Sequence, residues 1–145
     1  VSVDIWAVQQ RVYTLLKTAN VASGAIYDHV PPNQWPNEAI SSPPPPYVEI
    51  GEGLDVDDDT TGTGDGSVPS YGVLHTLTLH VWSRARGQKE IKQIVAAIRV
   101  VLHQKMLTVT GLASCMSRIS GVNYLQQPDG VTYQAVVRVD LIPRT

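Results

Sequence analysis

A single cysteine, Cys115, is all that the chain offers for disulfide chemistry. A lone thiol has no internal partner, which excludes a disulfide-stapled scaffold and fits synthesis in a reducing compartment. Basic excess is lacking too: 11 Lys and Arg stand against 13 Asp and Glu, for a formal net charge of −2 and a pI near 6.0. Sequence-independent nucleic-acid binding depends on neutralising phosphates, so it has little electrostatic support. No apolar run is long enough to span a bilayer, and the N-terminus lacks the basic-then-apolar layout of a secretory signal. What is present is core material. Of 145 residues 43% are hydrophobic, enough for one domain with a buried interior and too many for wholesale disorder. The expectation is a soluble, intracellularly made, single-domain protein.

Periodicity predicts a helix from Val3 to Ala19, because Ile5, Val8, Val12, Leu15, Leu16 and Ala19 recur at three-and-four spacing. Ser2 is the expected N-cap, with Asp4 complementing the positive end of the helix dipole. A short β-like stretch, Ala25 to Val30, runs into Pro31 and Pro32. From 31 to 46 the chain reads as loop, ending in the proline run Pro43 to Pro46, which cannot lie inside a sheet. That run is read as a stiff connector, or else as a ligand for a proline-recognising domain. A strand follows from Tyr47 to Ile50, with room to continue to Val56, and then a long acidic loop at about 55–70.

Tyr71 to Ser83 is the clearest strand, bulky on both alternating faces and therefore expected to be central. After a turn at Arg84–Gly87, a second helix is expected from Gln88 to Met106, striped by Ile91, Ile94, Val95, Ile98, Val101 and Leu102. The chain closes with a hairpin: Ala113 to Gln126, a turn at Pro128-Asp129-Gly130, and Val131 to Ile142, with Gly121 as a candidate bulge. The fold class is α+β, a mainly antiparallel sheet of about four to five strands with two helices packed on it.

Candidate chemistry departs from its required spacing at each place. No Gly-x-Ser-x-Gly elbow occurs, and Cys115 sits in a β-like run where a small buried thiol is the usual occupant. Gly51-Glu-Gly53 and Gly62-Thr-Gly64 lack the lysine and helix start of a phosphate loop. His75 and His80 are five apart on a strand, on opposite faces, and cannot share a metal without a bulge, so a structural role is expected for them. His103 falls near the end of the second helix, where a cation suits the dipole. Glu49, Glu52 and Asp55 are outward acids of an alternating strand. Asp55, Asp57 and Asp59 match positions one, three and five of a calcium loop, but Thr60 stands where glycine belongs and Gly66 where the bidentate glutamate belongs. The acidic stretch with Asp55, Asp57, Asp58, Asp59 and Asp65 is read instead as a charged loop whose role depends on where it points, in a lumen or at an interface, with a looser calcium or magnesium site as the lesser alternative.

The order of elements carries a resemblance. A helix leads to Ile26-Tyr-Asp-His-Val-Pro31; a proline-led strand, Pro46-Tyr-Val-Glu-Ile-Gly51, precedes the acidic loop; the strand His75-Thr-Leu-Thr-Leu-His-Val-Trp-Ser83 precedes a Gly-x-x-Glu-Ile helix at Gly87; and a hairpin turns at Pro128-Asp-Gly130. Over nearly its whole length this resembles the tail-completion or tail-terminator proteins of long-tailed phages, prophages and gene transfer agents. The resemblance implies a virion protein, assembled in the host bacterial cytoplasm, that forms a ring, typically of six copies. Such a ring caps the tail tube, contacts tube and head-connector proteins, and lets DNA pass without specific binding. It implies no catalytic residue, metal or cofactor. A head-completion or neck protein of the same particle, a scaffolding module recognised through its prolines, and a small hydrolase built around His75 or His80 are the rival readings.

Overall fold

The computed structural model describes residues 4–28, 46–58, 72–85, 87–128 and 130–144. Helix α1 spans Ile5–Thr18 and starts at Asp4, whose carboxylate accepts from the Ala7 N–H at 3.3 Å. Asp4 is thus the N-cap itself; Ser2 lies outside the described residues. One face of α1 is fully buried at Val8, Val12 and Leu16. A 3-10 turn at Val21–Gly24 then reverses the chain, with Asn20, Ala22, Ser23 and Gly24 all at positive φ. Asn and Gly tolerate this region, while Ala22 and Ser23 cost about 1–2 kcal/mol each. The turn carries Val21 and Ile26 into the core.

Strands β1 (Ile26–Tyr27), β2 (Tyr47–Asp58) and β3 (Gly72–Ser83) precede helix α2 (Lys89–Leu102), and β4 (Lys105–Met106), β5 (Ser114–Gln126) and β6 (Tyr133–Arg144) follow it. They form one sheet in the order β1-β2-β3-β6-β5-β4. β1 lies parallel to β2, and the other neighbours are antiparallel. The expectation of four to five mainly antiparallel strands therefore becomes a mixed sheet of six. The parallel pair is possible because the connection from 28 to 46 exceeds the dozen or so residues that a crossover needs. β1 is short, but Tyr27 packs edge-on against Tyr47, which stacks on Trp82.

The extra strand comes from the end of the second helix. The apolar stripe predicts helix to Met106, yet α2 stops at Leu102, where His103 is extended and Gln104 sits at φ 53. The chain then joins the sheet, with Lys105 opposite Ser117 and Met106 opposite Met116. Ser117 is buried and donates its hydroxyl to the Leu102 carbonyl at 2.6 Å, satisfying an acceptor that the helix end leaves open. The other end of α2 is fixed likewise. The buried Ser83 hydroxyl donates to the Glu90 carboxylate at 2.7 Å, which ties the first helical turn to the end of β3. Gly87, at φ 81, makes the bend between them.

The core lies on one face of the sheet. Leu77, Leu79 and Val81 of β3 and Ala135, Val137, Val139 and Leu141 of β6 are buried beneath α2, with α1 alongside on the β1 side. β3 is central, as its bulky alternation required. The expected bulge is present: the β5–β6 register shifts between Ile119 and Gly121. The hairpin turn has Gly130 at φ 74, with the Gly130 N–H bonded to the Gln127 carbonyl. Ile98 is fully buried in this layer, whereas Val100 on the same helix is 73% exposed. Ile98→Ala is expected to cost about 2–5 kcal/mol and Val100→Ala less than about 0.5 kcal/mol, as measured by urea unfolding.

Candidate functional site

β2 is the strand on which most of the candidate residues meet. It was expected to give way to loop from Asp55, but it continues through Asp58, with Asp55 opposite His75, Asp57 opposite Val73 and Asp58 opposite Gly72. Its composition reads as loop, and pairing with β3 holds it extended. A calcium loop must wrap its ion, so extended backbone at the first two of its supposed ligands is incompatible with that reading. Asp59 and Asp65 lie outside the described residues, as do His29 and the prolines at 43–45. Glu49 faces His80 in the same ladder.

Gly51-Glu52-Gly53 is a second bulge, since the register with β3 shifts between Ile50 and Gly53. Each glycine carries a histidine ring. A Cβ at Gly51 would lie 2.6 Å from Cδ2 of His80, and one at Gly53 would lie 2.7 Å from Cε1 of His75. Real side chains do not approach so closely, so both positions need glycine while the rings stay where they are. The two histidines occupy opposite faces, as their spacing required: His75 is buried on the helix side and His80 lies on the outer side.

Each ring is also held by an acid. The His75 Nδ1–H donates to Asp55, and its Nε2 is buried with no hydrogen-bond partner among the described residues. On the outer face the Gln134 amide donates to His80 Nδ1 at 2.8 Å, leaving Nε2–H to donate to Glu52 at 3.1 Å. The Glu52 carboxyl is held below its usual range first by a bond to its own backbone N–H and then by His80. Both histidines thus act as braces across β2. His103 has a structural contact as well: its Nδ1 accepts from the Ile119 N–H at 3.2 Å, which joins the end of α2 to β5.

Cys115 is fully buried, and desolvation pushes its thiol up to about 11, opposite to the shift an activated nucleophile needs. A cavity of about 360 Å³ lies away from both histidines, between α1 and the β1–β2 side, lined by Trp6, Tyr13, Tyr27 and Ile50 among others. The histidine–acid pairs therefore do not open into it.

Two features of the sheet surface stand out. One is a row of apolar side chains across the outer face: Val56 opposite Leu74, then Ile142 opposite Met116, itself opposite Met106. All but the half-buried Ile142 are exposed. The bulk on both faces of the central strand was its sequence signal, although among the described residues helices cover one of those faces. The other feature is the pair of sheet edges. β1 pairs with β2 at Val48 and Glu49, and β4 pairs with β5 at Met116 and Ser117, with the Leu107 N–H donating beyond them to the Cys115 carbonyl. Among the described residues the remaining lengths, 50–58 and 118–126, have no strand on their outer side.

Among the described residues, then, the six-stranded sheet has helices on one face, an exposed apolar row on the other and two edges with no further strand, surface of the kind that proteins use for interactions. The chain matches the family described as Tail completion protein gp17 over residues 7–142, and it belongs to that family. Its fold is similar to that of a chain in a structure titled "Virion of native gene transfer agent (GTA) particle", with a TM-score of 0.65 and 20% identity, over 97% of each chain. No match was found among curated protein sequences.

Gly53→Ala is expected to destabilise the fold by about 1–3 kcal/mol through overpacking against His75. Leu54→Ala, at an exposed neighbour, should change stability by less than about 0.5 kcal/mol. Cys115 gives a pH signature. Its folded-state value of about 11 exceeds the ordinary 9.0, so the stability linked to its proton is complete below pH 9 and is lost as pH rises toward 11. The stability advantage of the wild-type chain over Cys115→Ala, measured by urea midpoints, is expected to shrink across that interval.

Proposed function

We propose that the chain is a non-enzymatic ring subunit, of six copies, that closes the end of a tail tube and offers the surface to which the head side of the particle docks. Membership of the tail completion family over residues 7–142 carries this reading. The open strand edges support it, because a head-to-tail contact that closes on itself makes a ring. The apolar row on the outer face supports a further covered surface, since an apolar band left in water is a typical sign of a partner. Its partners are then further copies of itself, the tail tube protein and the head-connector proteins, in the virion at the head–tail junction.

A net charge of −2 suits a ring that encloses passing DNA without gripping it. The acidic stretch from Asp55 to Asp65 is assigned to the lumen or to an interface, where carboxylates repel phosphate or meet a basic neighbour. Deleting the gene should yield filled heads and separate tails of irregular length under negative stain, with rings of the purified protein visible on tube ends. Joined particles of normal length would contradict the assignment, and leaking heads beside normal tails would move the protein to the neck.

A further inference from the structure

We propose that neighbouring copies join edge to edge, the 50–58 half of β2 in one copy lying antiparallel to the 118–126 half of β5 in the next, so that one sheet continues through the contact. The proposal rests on the ring reading above and names its contact surface.

Four observations lead to it. The first is that, apart from the Ile119 N–H held by His103, both half-strands carry rows of backbone N–H and C=O groups that no strand pairs among the described residues, and such rows template the addition of another strand. Direction is the second. Along the order β1-β2-β3-β6-β5-β4, β2 and β5 run opposite ways. Two sheets set side by side in the same orientation therefore present β5 of one antiparallel to β2 of the other.

Charge is the third. β2 contains Glu49, Glu52, Asp55, Asp57 and Asp58 and no basic residue, whereas β5 contains no acid. Arg118 on β5 already pairs with Asp140, so the positive charge at that edge comes from two lysines. Lys105 belongs to β4, and Lys92 of α2 sits 5.4 Å above the Tyr124 ring. Two acidic β2 edges would repel each other, which disfavours a two-fold contact through β2 and favours the head-to-tail one. Exposed apolar groups are the fourth. Leu54 at 63% and Leu125 at 48% exposure stand on these two half-strands and lose their contact with water when the edges pair.

The two open halves lie toward opposite ends of the sheet, because β1 and β4 cover diagonally opposite corners. Neighbouring copies are thus displaced along the strand direction by about four residues, or ~13 Å at the usual rise of a strand.

Cysteine pairing tests the contact. In a Cys115→Ala background, copies carrying Leu54→Cys are mixed with copies carrying a cysteine at Gly121, Asn123 or Leu125, on the same face, and oxidised with and without tail tubes. The expected result is a disulfide dimer between the two kinds of copy at one of the three positions, and no Leu54→Cys homodimer. Asp57→Lys with Asp58→Lys should weaken assembly about tenfold, and Lys92→Glu with Lys105→Glu in the same chain should restore it. Rings that form without the mixed disulfide would overturn the edge contact and leave the ring reading intact. Mixed disulfides in open chains that never close would keep the contact and overturn the ring. A Leu54→Cys homodimer, or neither rings nor mixed disulfide on tubes, would overturn the proposal.

Discussion

The burial of β3 and β6 beneath α2 is the contact on which the remaining structure depends. These are the two central strands, and Leu77, Leu79, Val137 and Val139 are almost completely removed from water on that face alone. At about 25 cal/mol per Å² of apolar surface, such a layer supplies most of the drive to fold. It leaves the opposite face and the flanking strands to be decided by other interactions. The helix can lie there because both its ends are tied to the strands it covers, through Ser83 and Glu90 at one end and Ser117 and Leu102 at the other. One-sided cover also explains why the outer face carries hydrogen-bonded polar clusters, such as Thr76, Arg118 and Asp140, beside an apolar row.

Most of the architecture was legible where a local period and the tertiary environment agree. The stripe of α2, the alternation of β6, the Gly121 bulge and the Gly130 turn all fall where their residues demand. Departures occur where a distant partner overrides local composition. Residues 55–58 are acidic and turn-like in isolation, and β3 holds them straight. Lys105 and Met106 extend a helical stripe on paper, but the left-handed Gln104 diverts them to β5. No local signal told β1 to take a parallel neighbour.

The candidate residues show the same division. Gly51, Gly53, His75 and His80 all stand out in the sequence, the glycines as a failed phosphate loop and the histidines as a failed metal pair. What joins each glycine to a histidine is the register of two strands, and register is not written in either segment alone. The strand edges were legible only in outline, because which half of each edge is covered depends on where two-residue strands attach.

The glycine–histidine pairs have a consequence for how the chain finds its register. Sliding β2 by a single residue would bring the side chain of Glu52 or Leu54 into the space beneath an imidazole ring that only hydrogen can occupy. Because the rings press from opposite faces, a slip in either direction meets an obstacle, and so does a slip that inverts the strand. With the rings in place, the bulge and its two glycines therefore fit one alignment of β2 on β3. They admit the alignment that sends Ile50 and Val48 into the core and reject alignments that would turn those side chains toward water.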